Sequence, residues 1–340
     1  MRQNAKKTTI AQIGLGKWGI NLLRNFNALP ECRLKYGCDL NSDQLRKFSR
    51  DYPDVNFTSS YEDVLQDKDV EAVVVATPAP AHYDVALKCL KNGKHVFVEK
   101  PITLAVEKAE ELVRLAKEVN KKLMVGHLLL YHPAIAKLAE LIKNGELGEI
   151  YYIYTQRLNL GRIRNTENVV WSLAPHDISI ILHLMSQFPQ SVSALGASFV
   201  QEGIEDVAFL NIRFAGRGIG HIHVSWLDPT KTRRTIVVGS KKMAIFDEVS
   251  NRDTLILIDK GVDRNPDFKT FQEFLKLRFG EENGIKISNQ EPLMLECQHF
   301  INCVQNDKEP LSNGENGVKV LKILAAAERS LENGGRNELL

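Results

Sequence analysis

Nowhere does this sequence hold an apolar run long enough to cross a bilayer. Its opening residues, Met1-Arg2-Gln3-Asn4-Ala5-Lys6-Lys7, are not followed by the apolar stretch of a signal peptide, so a cytoplasmic location is expected. The five cysteines (Cys32, Cys38, Cys89, Cys297, Cys303) form no C-x-x-C pair and no metal-ligand spacing. That excludes a disulfide framework and a zinc module, and each cysteine reads as a small buried apolar residue. His127 and His132 flank Leu128-Leu129-Leu130-Tyr131 without forming a convincing metal pair. Charge is balanced, 44 Lys and Arg against 42 Asp and Glu for a net charge of +2, which argues against nucleic acid or an anionic membrane as main partner. Repeats and low-complexity tracts are missing too. What remains is a globular chain of 340 residues, long enough for two cores.

The most informative segment that is present lies near the start. The apolar run Thr8–Ile13 leads into Gly14-Leu15-Gly16-Lys17-Trp18-Gly19, then a helical stretch, then Leu34–Cys38 ending at Asp39. This is strand, glycine turn, helix, strand and acid, the order of a dinucleotide site. Gly14 allows a sharp turn, Gly16 allows backbone amides to approach a pyrophosphate, and Gly19 allows close helix–strand packing. The helix N-terminus faces the negative charge, with Lys17 and Trp18 in the same turn. Asp39 can accept the ribose hydroxyls and would repel a 2′-phosphate, so NAD is expected over NADP; Arg46, farther along, leaves NADP open. The competing reading is an ordinary strand–helix turn with a surface aspartate.

Strand and helix patterns alternate through the first third. Val70–Ala76 is a β-branched apolar run of the kind buried on both faces of a parallel sheet. Helices are expected over Ala79–Asn92 and, capped by Thr103, over Val106–Asn120. Strands are expected at His95–Val98 and Leu123–Val125. The alternation predicts an α/β domain over residues 1–126, a doubly wound parallel Rossmann sheet. After Gly126 the texture changes. Following a helix at Ala134–Lys143, long alternating segments between Ile150 and Phe246 predict an open, mainly antiparallel sheet covered by a helix at Asp177–Met185. This second domain, α+β, is expected to run from 127 to 340, with the last helix packing back on the first domain. Asp259–Asp267 reads as the least ordered stretch. An open sheet face is an aggregation hazard, so a homodimer or homotetramer is expected.

Three segments carry candidate chemistry. Thr77-Pro78, followed by His82, comes after a buried strand and so falls at the carboxyl edge of the sheet, where ligands of such folds bind. His82 is either part of that site or a surface helix-cap residue. Glu99-Lys100-Pro101 ends another parallel strand; a lysine there points at the crevice, Glu99 and Lys100 are both expected to contact the cofactor, Glu99 could also pair with a cation or orient the loop, and Pro101 is a candidate for a cis peptide bond. The third segment is Trp171-Ser172-Leu173-Ala174-Pro175-His176-Asp177. If a helix begins after the proline, its positive end keeps His176 neutral and suited to act as a base; otherwise His176 is a capping or core residue. Asp177 would then complement the same helix end. Arg157, Arg162 and Arg164 precede this segment and could hold a diphosphate, or form a solvated loop.

In this order the glycine turn, Asp39, Thr77-Pro78, His82, Glu99-Lys100-Pro101 and His176 resemble the Gfo/Idh/MocA oxidoreductase family over nearly the whole chain. The resemblance implies a Rossmann domain followed by an α+β domain, and NAD- or NADP-dependent oxidation of a sugar or polyol. It carries the catalytic positions over as Lys100 and His176. Ser172 departs from the pattern, because many members place an aspartate there. The run Asn168–Ile178 resembles the branch acting on C3 of UDP-N-acetylglucosamine or its uronic acid, which implies a substrate set of Lys100, Arg157, Arg162, Arg164, Trp171, His176 and Asp177. In that mechanism His176 accepts the hydroxyl proton and Lys100 stabilises the oxygen, or the roles exchange. A free sugar or inositol-type polyol is the other substrate class. A non-catalytic dinucleotide sensor and a glycosidase using NAD transiently are the alternatives in kind.

Overall fold

A computed structural model describes residues 7–250, 254–264 and 274–340. The chain forms two compact units, Met1–Tyr131 with Gln290–Leu321, and His132–Asn289 with Lys322–Leu340. Among the described residues no helix is long and apolar enough to cross a membrane.

The first unit is built on six parallel strands: β1 (Thr8–Ile13), β2 (Cys32–Cys38), β3 (Asn56–Thr58), β4 (Ala72–Val75), β5 (His95–Glu99) and β6 (Leu123–Gly126). Their order is β3-β2-β1-β4-β5-β6, so the chain reverses its direction of travel between β1 and β4. Loops leaving the carboxyl ends of those two strands therefore diverge and open a crevice. Every residue of β1 and β4 is buried, as the unbroken apolar run of β4 requires; β1 buries Gln12 among its apolar residues. Helices α1 (Gly19–Ala28), α2 (Ser42–Asp51), α3 (Tyr61–Gln66), α4 (His82–Lys91) and α5 (Val106–Glu118) alternate with the strands, and α6 (Pro133–Lys143) opens the second unit. Helix α1 packs Phe26 edge-on to Phe97 of β5, with ring centroids 6.0 Å apart. Phe300, on the helix Pro292–Gln305, closes the cluster at 5.7 Å from Phe97, so the late segment of the chain completes this core.

The second unit holds a nine-stranded sheet. Its strands are β7 (Ile150–Leu160), β8 (Ser191–Ala197), β9 (Val207–Arg213), β10 (Ile219–Ser225), β11 (Leu227–Gly239), β12 (Met243–Asp247), β13 (Leu255–Arg264), β14 (Leu275–Ile285) and β15 (Glu338–Leu339). The order is β14-β13-β12-β11-β7-β10-β9-β8-β15, antiparallel except for the β7–β10 pair. One face is covered by α7 (Val169–Met185): Ile181 lies against Gly220 of β10, where a β-carbon would come within 3.1 Å of its Cγ2. The other face presents Tyr152, Leu195, Phe209 and Ile219, all exposed.

Several expected boundaries move. Helix α7 begins at Val169, not Asp177, because the Asn168 side chain accepts from the amides of Val170 (3.1 Å) and Trp171 (3.2 Å), and Pro175 is carried inside the helix. Thr103 does not cap the next helix, α5 (Val106–Glu118); its hydroxyl donates to the Ala105 carbonyl instead. Ala79–Ala81 forms a separate 3₁₀ turn before α4 (His82–Lys91). The stretch from Asp259 to Arg264, expected to be poorly ordered, belongs to β13, and the remainder to Asp267 lies outside the described residues. Its polar sequence hides the strand because pairing with β14 is held by the backbone ladder and ion pairs such as Lys260–Glu282 (2.6 Å) rather than by apolar alternation.

Candidate active site

The glycine turn sits where β1 ends, and the structure shows why each glycine is needed. Gly14 has φ +97°, and a β-carbon on it would lie 2.5 Å from the Ala76 carbonyl group of the loop after β4. A β-carbon on Gly19 would run into the carbonyl oxygen of Gly14. Gly16 differs: among the described residues no heavy atom lies within 4 Å of its would-be β-carbon. Its backbone faces open space, as a turn receiving a diphosphate requires. Beneath the turn, the buried Gln12 side chain donates to the carbonyls of Gly14 (2.9 Å) and Gly19 (2.7 Å). Sequence reasoning missed Gln12; the available signal was an amide side chain in an otherwise apolar strand.

Asp39 follows β2. One carboxylate oxygen accepts from the Leu15 amide (2.7 Å) and the other from the Asn41 amide (2.8 Å), which aims the carboxylate alongside the turn. The Thr77 hydroxyl is buried with no hydrogen-bond partner among the described residues. Open space at Gly16, an anchored acid and an unsatisfied hydroxyl at one sheet edge fit a dinucleotide. Lys17 and Trp18 are exposed on the turn, and Pro78 continues the loop after Thr77.

His82 is neither a surface cap nor open to a ligand. It is 1% exposed, and its ring nitrogens lie 2.7 Å from the Pro101 carbonyl and 2.8 Å from the Thr77 carbonyl. Burial lowers its pKa. A cofactor contact is thus replaced by a tie between two loops. Glu99 is likewise occupied: it accepts from the Trp18 indole (2.6 Å) and from the Lys100 amide (3.1 Å). Burial pushes its carboxyl up to about 7. The Lys100–Pro101 peptide bond is cis. His127, buried just past β6, has its pKa brought down to about 3, by burial first and then by the Lys100 charge.

In the second unit, Arg157 of β7, expected from sequence at a diphosphate, is buried against the covering helix. Its guanidinium pairs with Asp177 of α7 through Nε–Oδ2 (2.8 Å) and a second bond of 3.2 Å, with Glu248 at 3.7 Å. Burial works against the Arg157 charge, but Asp177 and Glu248 outweigh it and its pKa is raised. Asp177, expected from sequence beside the substrate, is taken up by Arg157 and anchors α7 to β7. The sequence could not show this, because β7 and α7 are brought together only by the sheet. His176 lies well inside α7, so the helix end that was expected to tune it is too far along the chain. Trp171 donates its indole N–H to Glu328 (2.9 Å). Arg162 and Arg164 are exposed on the loop before α7, Arg164 pairing with Glu167 (2.6 Å).

Comparison with known proteins agrees with this architecture. Residues 8–127 match the family described as "Oxidoreductase family, NAD-binding Rossmann fold", and residues 135–245 match the "GFO/IDH/MocA C-terminal domain". The chain is 28% identical over 338 residues to the scyllo-inositol 2-dehydrogenase (NAD(+)) of Bacillus subtilis, covering 95% of this chain and 94% of that one. It is 25% identical over 254 residues to the UDP-N-acetylglucosamine 3-dehydrogenase of Acidithiobacillus ferrooxidans, covering 74% and 76% of the two chains. A solved structure of UDP-N-acetylglucosamine 3-dehydrogenase from that organism shares the fold, with a TM-score of 0.82 at 22% identity over 96% of this chain and 97% of that one. With a nucleotide-binding sheet edge in one unit and an open antiparallel sheet in the other, both matched in sequence order, the chain belongs to the Gfo/Idh/MocA family of oxidoreductases.

Proposed function

We propose that this protein is an NAD-dependent dehydrogenase oxidising a secondary hydroxyl of a nucleotide-linked sugar, at C3 of a UDP-N-acetyl sugar or its uronic acid. Oxidation of sugar and polyol hydroxyls with NAD is the chemistry of its family. The observation that carries the nucleotide-linked substrate is the loop between β7 and α7. Arg162 and Arg164 stay at its surface while Arg157 is withdrawn into the sheet, and these two guanidinium groups, Arg164 exchanging its Glu167 partner, are suited to a diphosphate.

Bound NAD supplies the hydride acceptor. The amides around Gly16 receive the diphosphate, and Asp39 takes the ribose hydroxyls and disfavours a 2′-phosphate. Lys100 donates to the reacting hydroxyl oxygen and stabilises the negative charge developing there. His176 accepts the hydroxyl proton. His176 is carried by α7, which the buried Arg157–Asp177 pair anchors to β7. Self-association through Tyr152, Leu195, Phe209 and Ile219 would cover the exposed sheet face and belongs to the same proposal.

A cyclic polyol is the second reading, favoured by likeness to the inositol dehydrogenase along 95% of the chain. The deciding assay follows NADH formation with UDP-N-acetylglucosamine, its uronic acid, scyllo-inositol and myo-inositol. The proposal expects the highest kcat/KM for a UDP-sugar; preference for an inositol overturns the nucleotide-linked reading, and turnover of neither class overturns both.

A further inference from the structure

The Glu99 carboxyl group occupies a seat with three sides. Trp18, at the tip of the glycine turn, donates its indole N–H to Oε1 at 2.6 Å. The backbone N–H of Lys100 donates to Oε2 at 3.1 Å. The third side is Gly126, the register partner of Glu99 on β6. A β-carbon on Gly126 would lie 2.9 Å from Oε1 and 3.0 Å from Oε2 of Glu99. Parallel neighbours ordinarily stand their side chains side by side. Here the glutamate folds across its neighbour, and it can do so only because that neighbour has no side chain.

We propose that Glu99 is a positioning residue, tying the tip of the cofactor turn to the backbone of Lys100, and that Gly126 is glycine because the Glu99 carboxyl fills the space above it. Lys100 then keeps a constant offset from the turn that receives the diphosphate. This role replaces the direct cofactor contact expected for Glu99 from sequence. It rests on the reading of Lys100 as the residue that holds the reacting oxygen.

The test is a double-mutant cycle of Glu99→Ala, Gly126→Ala and the double variant, with Trp18→Phe alongside. Three quantities are read: kcat on the substrate found by the panel above, the NADH dissociation constant from NADH fluorescence, and the rate of Lys100 acetylation by acetic anhydride from peptide mass spectrometry. A misplacement of about 1 Å is enough to cost about 100-fold, so Glu99→Ala and Gly126→Ala should each lower kcat by roughly 10- to 100-fold with little change in NADH affinity. Trp18→Phe should lower kcat less. Because Gly126→Ala acts by evicting the carboxyl, it should cost nothing further once Glu99 is alanine. Additive losses, or wild-type kcat in Glu99→Ala, overturn the proposal. A loss of NADH affinity matching the loss of kcat makes Glu99 a cofactor ligand and also overturns it. If the wild type oxidises none of the panel, the functional reading fails separately, and acetylation decides: Lys100 reactivity must change in both single variants without further change in the double. Should Gly126→Ala not fold, unchanged kcat and acetylation in Trp18→Phe overturn the proposal alone.

Discussion

Arg157 and Asp177 meet through two hydrogen bonds, 2.8 and 3.2 Å long, inside the second unit, with the arginine side chain 8% and the aspartate 1% exposed. One belongs to the central strand β7 and the other to the helix that covers it. A pair so placed makes a small net contribution to stability while intact, but losing one partner strands a buried charge. Arg157→Ala and Asp177→Asn should each cost roughly 3–5 kcal/mol in urea unfolding, with strong non-additivity in the double variant. Losses below about 1 kcal/mol would show that the pair is solvated and that Arg157 is available to a ligand.

The three glycines of the cofactor turn should respond differently to the same substitution. Gly14→Ala places a methyl group against the Ala76 backbone at a positive φ and should destabilise the first unit. Gly16→Ala meets nothing within 4 Å, so it should fold with an unchanged melting temperature yet bind NADH at least about tenfold more weakly, the equivalent of about 1.4 kcal/mol. Calorimetric titration with NADH and thermal unfolding separate the two effects. Full NADH affinity in Gly16→Ala would remove the diphosphate from this turn.

Kinetic separation is expected between the two proposed roles of cationic side chains. Lys100→Met should lower kcat by about 100- to 10,000-fold and leave the NADH dissociation constant nearly unchanged, because the lysine acts on the reacting oxygen. Arg162→Ala and Arg164→Ala should instead raise KM for a UDP-sugar several-fold at nearly constant kcat, and leave KM for an uncharged polyol alone. An unchanged UDP-sugar KM in both arginine variants would sink the diphosphate assignment.

His127 makes stability depend on acid. It is 1% exposed, and neither ring nitrogen has a hydrogen-bond partner among the described residues. Its folded pKa of about 3 lies below the value of about 6.5 in an unfolded chain. Between those values the unfolded chain takes up a proton that the folded chain refuses. The stabilising contribution is thus present above pH 6.5 or so and is lost as pH falls toward 3, by up to about 1.4 kcal/mol per pH unit. His127→Phe should flatten the decline of melting temperature between pH 7 and pH 4. An unaltered slope would mean that His127 is protonated in the folded protein.

Much of the first unit could be read in advance because its determinants are local. The buried parallel strand Ala72–Val75, the glycine turn and the acid after β2 each announce themselves within a few residues. The hairpin of β13 and β14 was not legible, since its pairing depends on a ladder and on ion pairs between residues far apart in the chain. The start of α7 was misplaced for a similar reason. Pro175 looks like a first-turn proline, while the cap is supplied by Asn168 seven residues earlier.

Family, cofactor class and the order of elements in the first unit were determined by the sequence itself, because glycine geometry and strand burial are properties of short segments. Only the tertiary structure decided which charges are spent internally: that Arg157 belongs to Asp177, that His82 ties together the carbonyls of Thr77 and Pro101, and that Glu99 rests on Gly126. The physical reason is that an ionisable side chain looks the same in a sequence whether it meets solvent, a ligand or another side chain. Its partner is chosen by the packing of strands and helices that lie far from it along the chain.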